Sequence, residues 1–300
     1  MALNMRTTVT ASQLSSGAIR IESDAVDAAG SFSDDRFIAE RGASGARELL
    51  GPLKISVDAT LKHIDKTGEG VSVKVESSIP VGVGLGSSAS TAVSTIAAVG
   101  SLFGHGLNRD VIFDLAYHGE RRVHGRPSGI DQTTVTYGGI LLFKMGVPFR
   151  KIQSSRPLSL VIGNTGIKRS TGEVVGRVTK LRESEPQYVE SLADQVESIV
   201  AEAEMALGTG DLEKFGRLMN ENQELLSKIG VSSKELDSLI VASREGGALG
   251  AKLTGGGGGG CMISLVTEDV RESVSKRIRN AGGTPIFAEL SGEGVSSHLE

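Results

Sequence analysis

The chain has 300 residues, enough for one large domain or two modest ones with real cores. Its 39% hydrophobic and 23% charged residues exclude a disordered or fibrous chain, its net charge of -4 gives no general basic field for nucleic acid or anionic lipid, and its single cysteine, Cys261, excludes a disulfide framework and a cysteine-rich zinc site. Glycine is unusually frequent, at 40 residues without a collagen-like period, which points to turns and to loops where backbone approaches something closely.

Met1 to Ala11 lacks the apolar run of a signal peptide, and Arg6 to Ala11 reads as a β-branched strand. The polar segment around Asp34 and Asp35 reads as a surface helix. Val71 to Val75 alternates like a strand. From Ser77 to Asn108 there is no charged residue, but Pro80 and several glycines break the run, and Ala89 to Phe103 is too short to cross a membrane. A buried core helix and a cytoplasmic protein are expected. A second helix runs from an Asn108 N-cap to Val123. His124 to Thr136 reads as a loop, Gly139 to Phe143 as a strand, and the polar stretch Lys151 to Leu158 as a domain boundary. Leu160 to Ile162 is a buried strand.

The second half is mostly amphipathic helix. Leu192, Val196, Ile199, Val200, Ala203 and Leu207 share one face, as do Leu212, Phe215, Leu218, Met219, Leu225 and Leu226. Leu236 to Arg244 and Asp269 to Ala281 are further helices. Ala251 to Thr254 leads into Gly255 to Gly260, and Cys261 to Val266 leaves as a strand; Pro285 to Ala288 is the last strand. The mixture gives α+β layers in two domains, residues 1–154 and 155–300.

Three segments can carry chemistry. Pro80, Gly82, Gly84, Leu85, Gly86, Ser87, Ser88 and Ala89 join a strand to a helix. Consecutive N–H groups at a helix N-terminus attract anions, glycines let phosphate approach the backbone, and a hydroxyl there can bind Mg²⁺. The segment is neither a Walker A loop nor G-x-G-x-x-G, and a tight turn with Ser88 as cap is the competing reading. The second segment, Gly119 to Asp131, offers Glu120 near a helix end and Asp131 beyond it. Phosphoryl transfer needs one carboxylate for Mg²⁺ and one for the hydroxyl proton, whereas a solvated helix residue and a turn cap are the bland alternatives. The third is the glycine run, either a linker or a loop lying against a ligand. The five histidines lack metal-ligand spacing, and no Gly-x-Ser-x-Gly elbow is present.

Together these segments resemble the GHMP small-molecule kinases. Pro80 to Ala89 is similar to that superfamily's second motif. Lys252-Leu253-Thr254 with Gly255 to Cys261 is similar to its third, with glycine at 256 where alanine is usual. Gly119-Glu120-Arg121 with His124-Gly125-Arg126-Pro127-Ser128-Gly129-Ile130-Asp131 resembles the mevalonate kinase branch, and Asn164-Thr165-Gly166 and Arg169-Ser170-Thr171 resemble its next active-site stretch. The resemblance implies the two-domain α+β GHMP fold, with a ribosomal protein S5 domain 2-like N-terminal domain and a ferredoxin-like C-terminal domain. ATP and mevalonate would lie in the cleft between them. It implies that residues 84–89 cradle the ATP phosphates and that Ser88 and Glu120 ligate Mg²⁺. Asp131 would take the proton from the C5 hydroxyl of mevalonate, giving 5-phosphomevalonate for isoprenoid synthesis. Ser128 would support the Asp131 loop, Thr171 would lie near substrate, and Gly255, Gly256 and the glycines up to 259 would close the site. Homodimers are common in the family.

One departure stands out. The family opens with a strand and a Pro-Gly-Lys, Gly-Glu-His stretch that supplies a lysine, whereas Ala2 to Thr7 already resembles the strand after it. A start lying upstream is the favoured expectation; the alternative is a chain whose first sheet lacks a strand and whose site lacks that lysine, with Lys168 or Lys252 partly replacing the charge. Kinase action on another alcohol or phosphate, and nucleotide binding without transfer, remain the alternative functions.

Overall fold

The computed structural model describes residues 1–33, 36–42, 45–124, 128–167 and 171–299. The chain divides into two compact units. Residues 1–81, 86–151 and 291–300 form one; residues 82–85 and 152–290 form the other. The chain passes from the first unit to the second between Lys151 and Ile152. The excursions at 82–85 and 291–300 are additional.

The first unit opens with β1 (Thr7–Leu14), β2 (Ile19–Ser23), β3 (Ala28–Ser33) and β4 (Arg36–Arg41), then α1 (Ala46–His63) and β5 (Gly70–Ser77). These strands form one sheet in the order β1-β5-β2-β3-β4. The β2–β5 pair is parallel and the others are antiparallel. Period-two alternation puts Val71, Val73 and Val75 of central β5 into the core with Ile21, Leu50, Val57 and Val99. Asp34 and Asp35 lie outside the described residues. The segments beside them are strands rather than the expected surface helix. Pairing decides this: the Phe32 and Phe37 rings pack tilted at 4.7 Å between centroids, and Ser31 donates to Glu40, which also accepts from Arg20.

Next come α2 (Ser87–Leu102), α3 (Arg109–His124) and α4 (Ile130–Tyr137), then the hairpin β6 (Ile140–Lys144) and β7 (Val147–Ile152). Asn108 Oδ1 accepts from Val111 N at 2.9 Å, as an N-cap does. Val93, Ile96 and Ala97 of α2 pack with Ile112 and Ala116 of α3. Among the described residues no helix is long and apolar enough to cross a membrane.

The second unit contains β8 (Ser159–Asn164), α5 (Thr171–Ser184), α6 (Pro186–Thr209), α7 (Leu212–Lys228), α8 (Lys234–Glu245), β9 (Gly250–Leu253), β10 (Cys261–Val266), α9 (Arg271–Asn280) and β11 (Thr284–Glu289). Its sheet is antiparallel in the order β11-β8-β10-β9. Leu236, Leu239 and Ile240 of α8 and Val274 and Ile278 of α9 bury against Val161, Leu253 and Met262 of the strands. Each such aliphatic side chain contributes roughly 1.5–3 kcal/mol by leaving water.

Candidate active site

In the loop after β5, Gly82, Gly84 and Gly86 adopt φ values of 77°, 87° and 74°. Left-handed glycines alternating with ordinary residues turn successive N–H groups to one side, the backbone pattern of an anion nest. Gly86 is the N-cap of α2 and supplies no side chain to its first turn. The hydroxyl of Ser88 is therefore not the helix cap, and its residue is exposed at the positive end of a 16-residue helix. Ser87 and Leu85 are half-buried and Ala89 is buried, while Pro80 enters the loop half-buried.

Asp131 lies in the first turn of α4, not in a loop as the sequence suggested. Gly129 turns the chain with φ 82°, and its carbonyl accepts from Thr133 N and Thr133 Oγ1. The Thr-rich sequence has weak intrinsic helix propensity, but Gln132, Thr133 and Thr136 are buried, and packing overrides propensity. Ser128 Oγ accepts from Ile130 N at 3.4 Å, bracing the entry to this turn. A Cβ on Gly129 would touch the Tyr117 ring at 3.4 Å, so aromatic packing sets the height of the turn. At the other end of α4 the Tyr137 hydroxyl donates to Asp110 of α3. Burial, then this bond and charge, raise the Tyr137 phenol above its ordinary value, which keeps it a donor.

A methyl group on Gly86 would lie 3.9 Å from Asp131 Cγ and 4.0 Å from its Oδ1. The folded first unit thus brings the N-terminus of α2 against the Asp131 carboxylate across 45 positions of sequence. Burial holds the Met1 α-amino group below its ordinary value, with the Asp131 charge opposing that shift. Glu120 is half-buried on the last turns of α3. The side chain of His124, and Gly125, Arg126 and Pro127, lie outside the described residues. Among the described residues no cluster of three His, Cys, Asp or Glu side chains could hold a metal.

In the second unit, Gly255 to Gly260 is an anchored loop. Gly255, Gly257, Gly258, Gly259 and Gly260 all have positive φ. Thr254 N donates to Cys261 O at 3.0 Å, Gly258 N to Val231 O at 2.8 Å, and Gly260 N to Ile167 O at 3.0 Å. The Gly260 carbonyl accepts from both Thr165 N and Thr165 Oγ1, which ties the Asn164 to Gly166 stretch to the run. A Cβ on Gly257 would fall inside the Val231 carbonyl oxygen, and one on Gly260 inside that of Val83. At these two glycines backbone crowding is severe. Gly255 is exposed and Gly256 half-buried. Lys252 Nζ donates to Leu253 O at 2.9 Å, and burial pushes the amine down to about 8. Lys168, Arg169 and Ser170 and the side chain of Thr171 lie outside the described residues.

The sequence reading missed Gln223 of α7, which is 4% exposed. It falls four residues after Met219, on the apolar face, and a polar residue at a core position was the available signal. Its Oε1 accepts from Leu253 N at 2.9 Å.

Residues 54–139 match the GHMP kinases N terminal domain, and residues 184–284 match the GHMP kinases C terminal domain. A mevalonate kinase of Thermococcus gammatolerans is 40% identical, over 98% of this chain and 90% of that protein. The structure is similar to that of Methanococcus jannaschii mevalonate kinase, with a TM-score of 0.81, 26% identity, and coverage of 97% and 90% of the two chains. It is also similar to L. major mevalonate kinase in complex with R-mevalonate, with a TM-score of 0.80, 28% identity, and coverage of 97% and 87%. With both GHMP domains matched and near-complete relatedness to curated members, the chain belongs to the mevalonate kinase family of the GHMP kinases.

Proposed function

We propose that this chain transfers the γ-phosphoryl group of ATP to the C5 hydroxyl of mevalonate, giving 5-phosphomevalonate and ADP. The observation that carries the reading is the Gly86–Asp131 approach, which sets a carboxylate beside the N-terminus of a long helix. The N–H groups of residues 84–89 and the α2 dipole hold the phosphates and offset their charge. Asp131 accepts the hydroxyl proton as the alcohol oxygen bonds to the γ-phosphorus and the bond to the β,γ-bridging oxygen breaks. Gly129, Ser128 and the α3–α4 aromatic contacts hold Asp131 in place for that step.

Mg²⁺ fits the residues available. Ser88 and Glu120 are hard oxygen donors, and with no three-carboxylate cluster among the described residues the remaining positions fall to phosphate oxygens and water, as Mg²⁺ prefers. When bound, the ion neutralises charge on the transferring phosphates. The glycine run, with Gly255 and Gly256 at its entry, lies along the phosphates, and Thr171 is a substrate contact by family resemblance alone.

Asp131→Asn keeps the side-chain shape and removes the proton acceptor. Mevalonate-dependent ADP release should fall at least 10³-fold, while ADP affinity stays within about threefold. Turnover close to that of the unsubstituted chain would remove Asp131 from its role.

A further inference from the structure

β9 is an edge strand, bonded to β10 on one side only. Its other side faces α7, whose polar side chains take the place of a neighbouring strand. Asn220 Oδ1 accepts from Ala251 N, and Gln223 Oε1 accepts from Leu253 N, each at 2.9 Å. The spacing works because residues i and i+3 of a helix share a face while alternate strand residues point the same way.

The two side chains differ in what else they hold. Among the described residues the Asn220 amide nitrogen reaches only back to Leu249 O, just before the same strand. The Gln223 amide nitrogen instead reaches the turn between α7 and α8, donating to Ser232 Oγ at 3.2 Å and Asp237 Oδ1 at 3.4 Å, as well as to Ser227 Oγ at 3.2 Å. Ser232 Oγ itself donates to Asp237 at 2.6 Å. The carbonyl of the adjacent Val231 accepts from Gly258 N, and Gly257 has no room for a side chain against it.

We propose that Gln223 is a positioning residue for the nucleotide: one buried amide ties the strand entering the glycine run to the turn on which the middle of the run rests. This rests on the reading that the run lies along the ATP phosphates. Two anchors of one loop then share a single rigid link, so loss of the amide frees the loop at both points.

The test compares Gln223→Met, Ser232→Ala and Asn220→Leu in the full chain, by calorimetric titration with MgADP and by steady-state kinetics. Gln223→Met should weaken ADP binding and raise the KM for ATP about tenfold, with the KM for mevalonate within twofold. Ser232→Ala keeps the Leu253 bond and should weaken ADP about threefold, and it carries the test if Gln223→Met does not fold. Asn220→Leu removes an equivalent edge bond and should lower Tm comparably while leaving ADP affinity within twofold. Equal nucleotide effects in the Gln223 and Asn220 variants, or none in Ser232→Ala, overturn the positioning role. If the unsubstituted chain binds ADP but does not phosphorylate mevalonate, the substrate reading falls and the ADP comparison still judges Gln223. If it binds no nucleotide, both fall.

Discussion

Lys252 is a residue whose chemistry the fold alters strongly. Its ammonium is buried on β9 with Leu253 O as acceptor, and its amine titrates near 8 against an ordinary 10.5. The folded chain therefore releases this proton before the unfolded chain does. Between pH 8 and 10.5 the unfolded state binds more protons, so the contribution of this group to stability rises with pH; below 8 its burial cost is constant. Lys252→Met removes that cost but leaves the Leu253 carbonyl without its donor. The expected gain at pH 7 is on the order of 2 kcal/mol, shrinking as pH rises and absent above 10.5. Thermal unfolding at pH 7, 9 and 10.5 measures it, and a gain that does not change with pH would contradict the assignment.

The two glycine-rich loops illustrate how one composition serves different ends. Gly82 has φ 77° and open space around it, so Gly82→Ala should cost only the left-handed strain, about 1–2 kcal/mol. Gly257 has φ 76° and the Val231 carbonyl where a Cβ would stand, so Gly257→Ala should cost about 3 kcal/mol or more, read from denaturant midpoints. Equal losses would mean that crowding at Gly257 is relieved by movement. Neither difference is legible in the sequence, because six consecutive glycines carry no sign of which ones touch a neighbour. The uncharged helical segment Ala89 to Phe103, and the Asn108 cap, were legible as α2 and α3 because apolar patterning and capping are local signals. The α4 helix was not, because the polar and β-branched residues around Asp131 become helical only through burial against α2 and α3. The β3–β4 pair was hidden for the same reason: the exposed β4 is defined by its pairing with the largely buried β3 across the hairpin. Motif resemblance therefore singled out Asp131 while its local backbone was misjudged.

Across the whole molecule, the residues after β11 belong with the first unit. Gly139 N donates to Ser291 O at 2.8 Å, Ser291 N to Ala2 O at 2.9 Å, and Val295 N to Thr136 O at 3.3 Å. This segment braces the end of α4, the helix whose first turn carries Asp131. Deleting residues 291–300 should lower Tm by several degrees and reduce turnover about tenfold or more, with a larger effect on kcat than on the KM for ATP. A truncated chain with unchanged melting and kinetics would show that the brace is dispensable. The path of the chain has a further consequence. It leaves the first unit at residue 82, returns at 86, leaves at 152 and returns at 291. A ribosome releasing this polypeptide delivers the last piece of the first unit only after the second has emerged. Vectorial folding during translation must therefore hold the first unit unfinished, and cutting the gene at the middle would give neither half as an autonomous module.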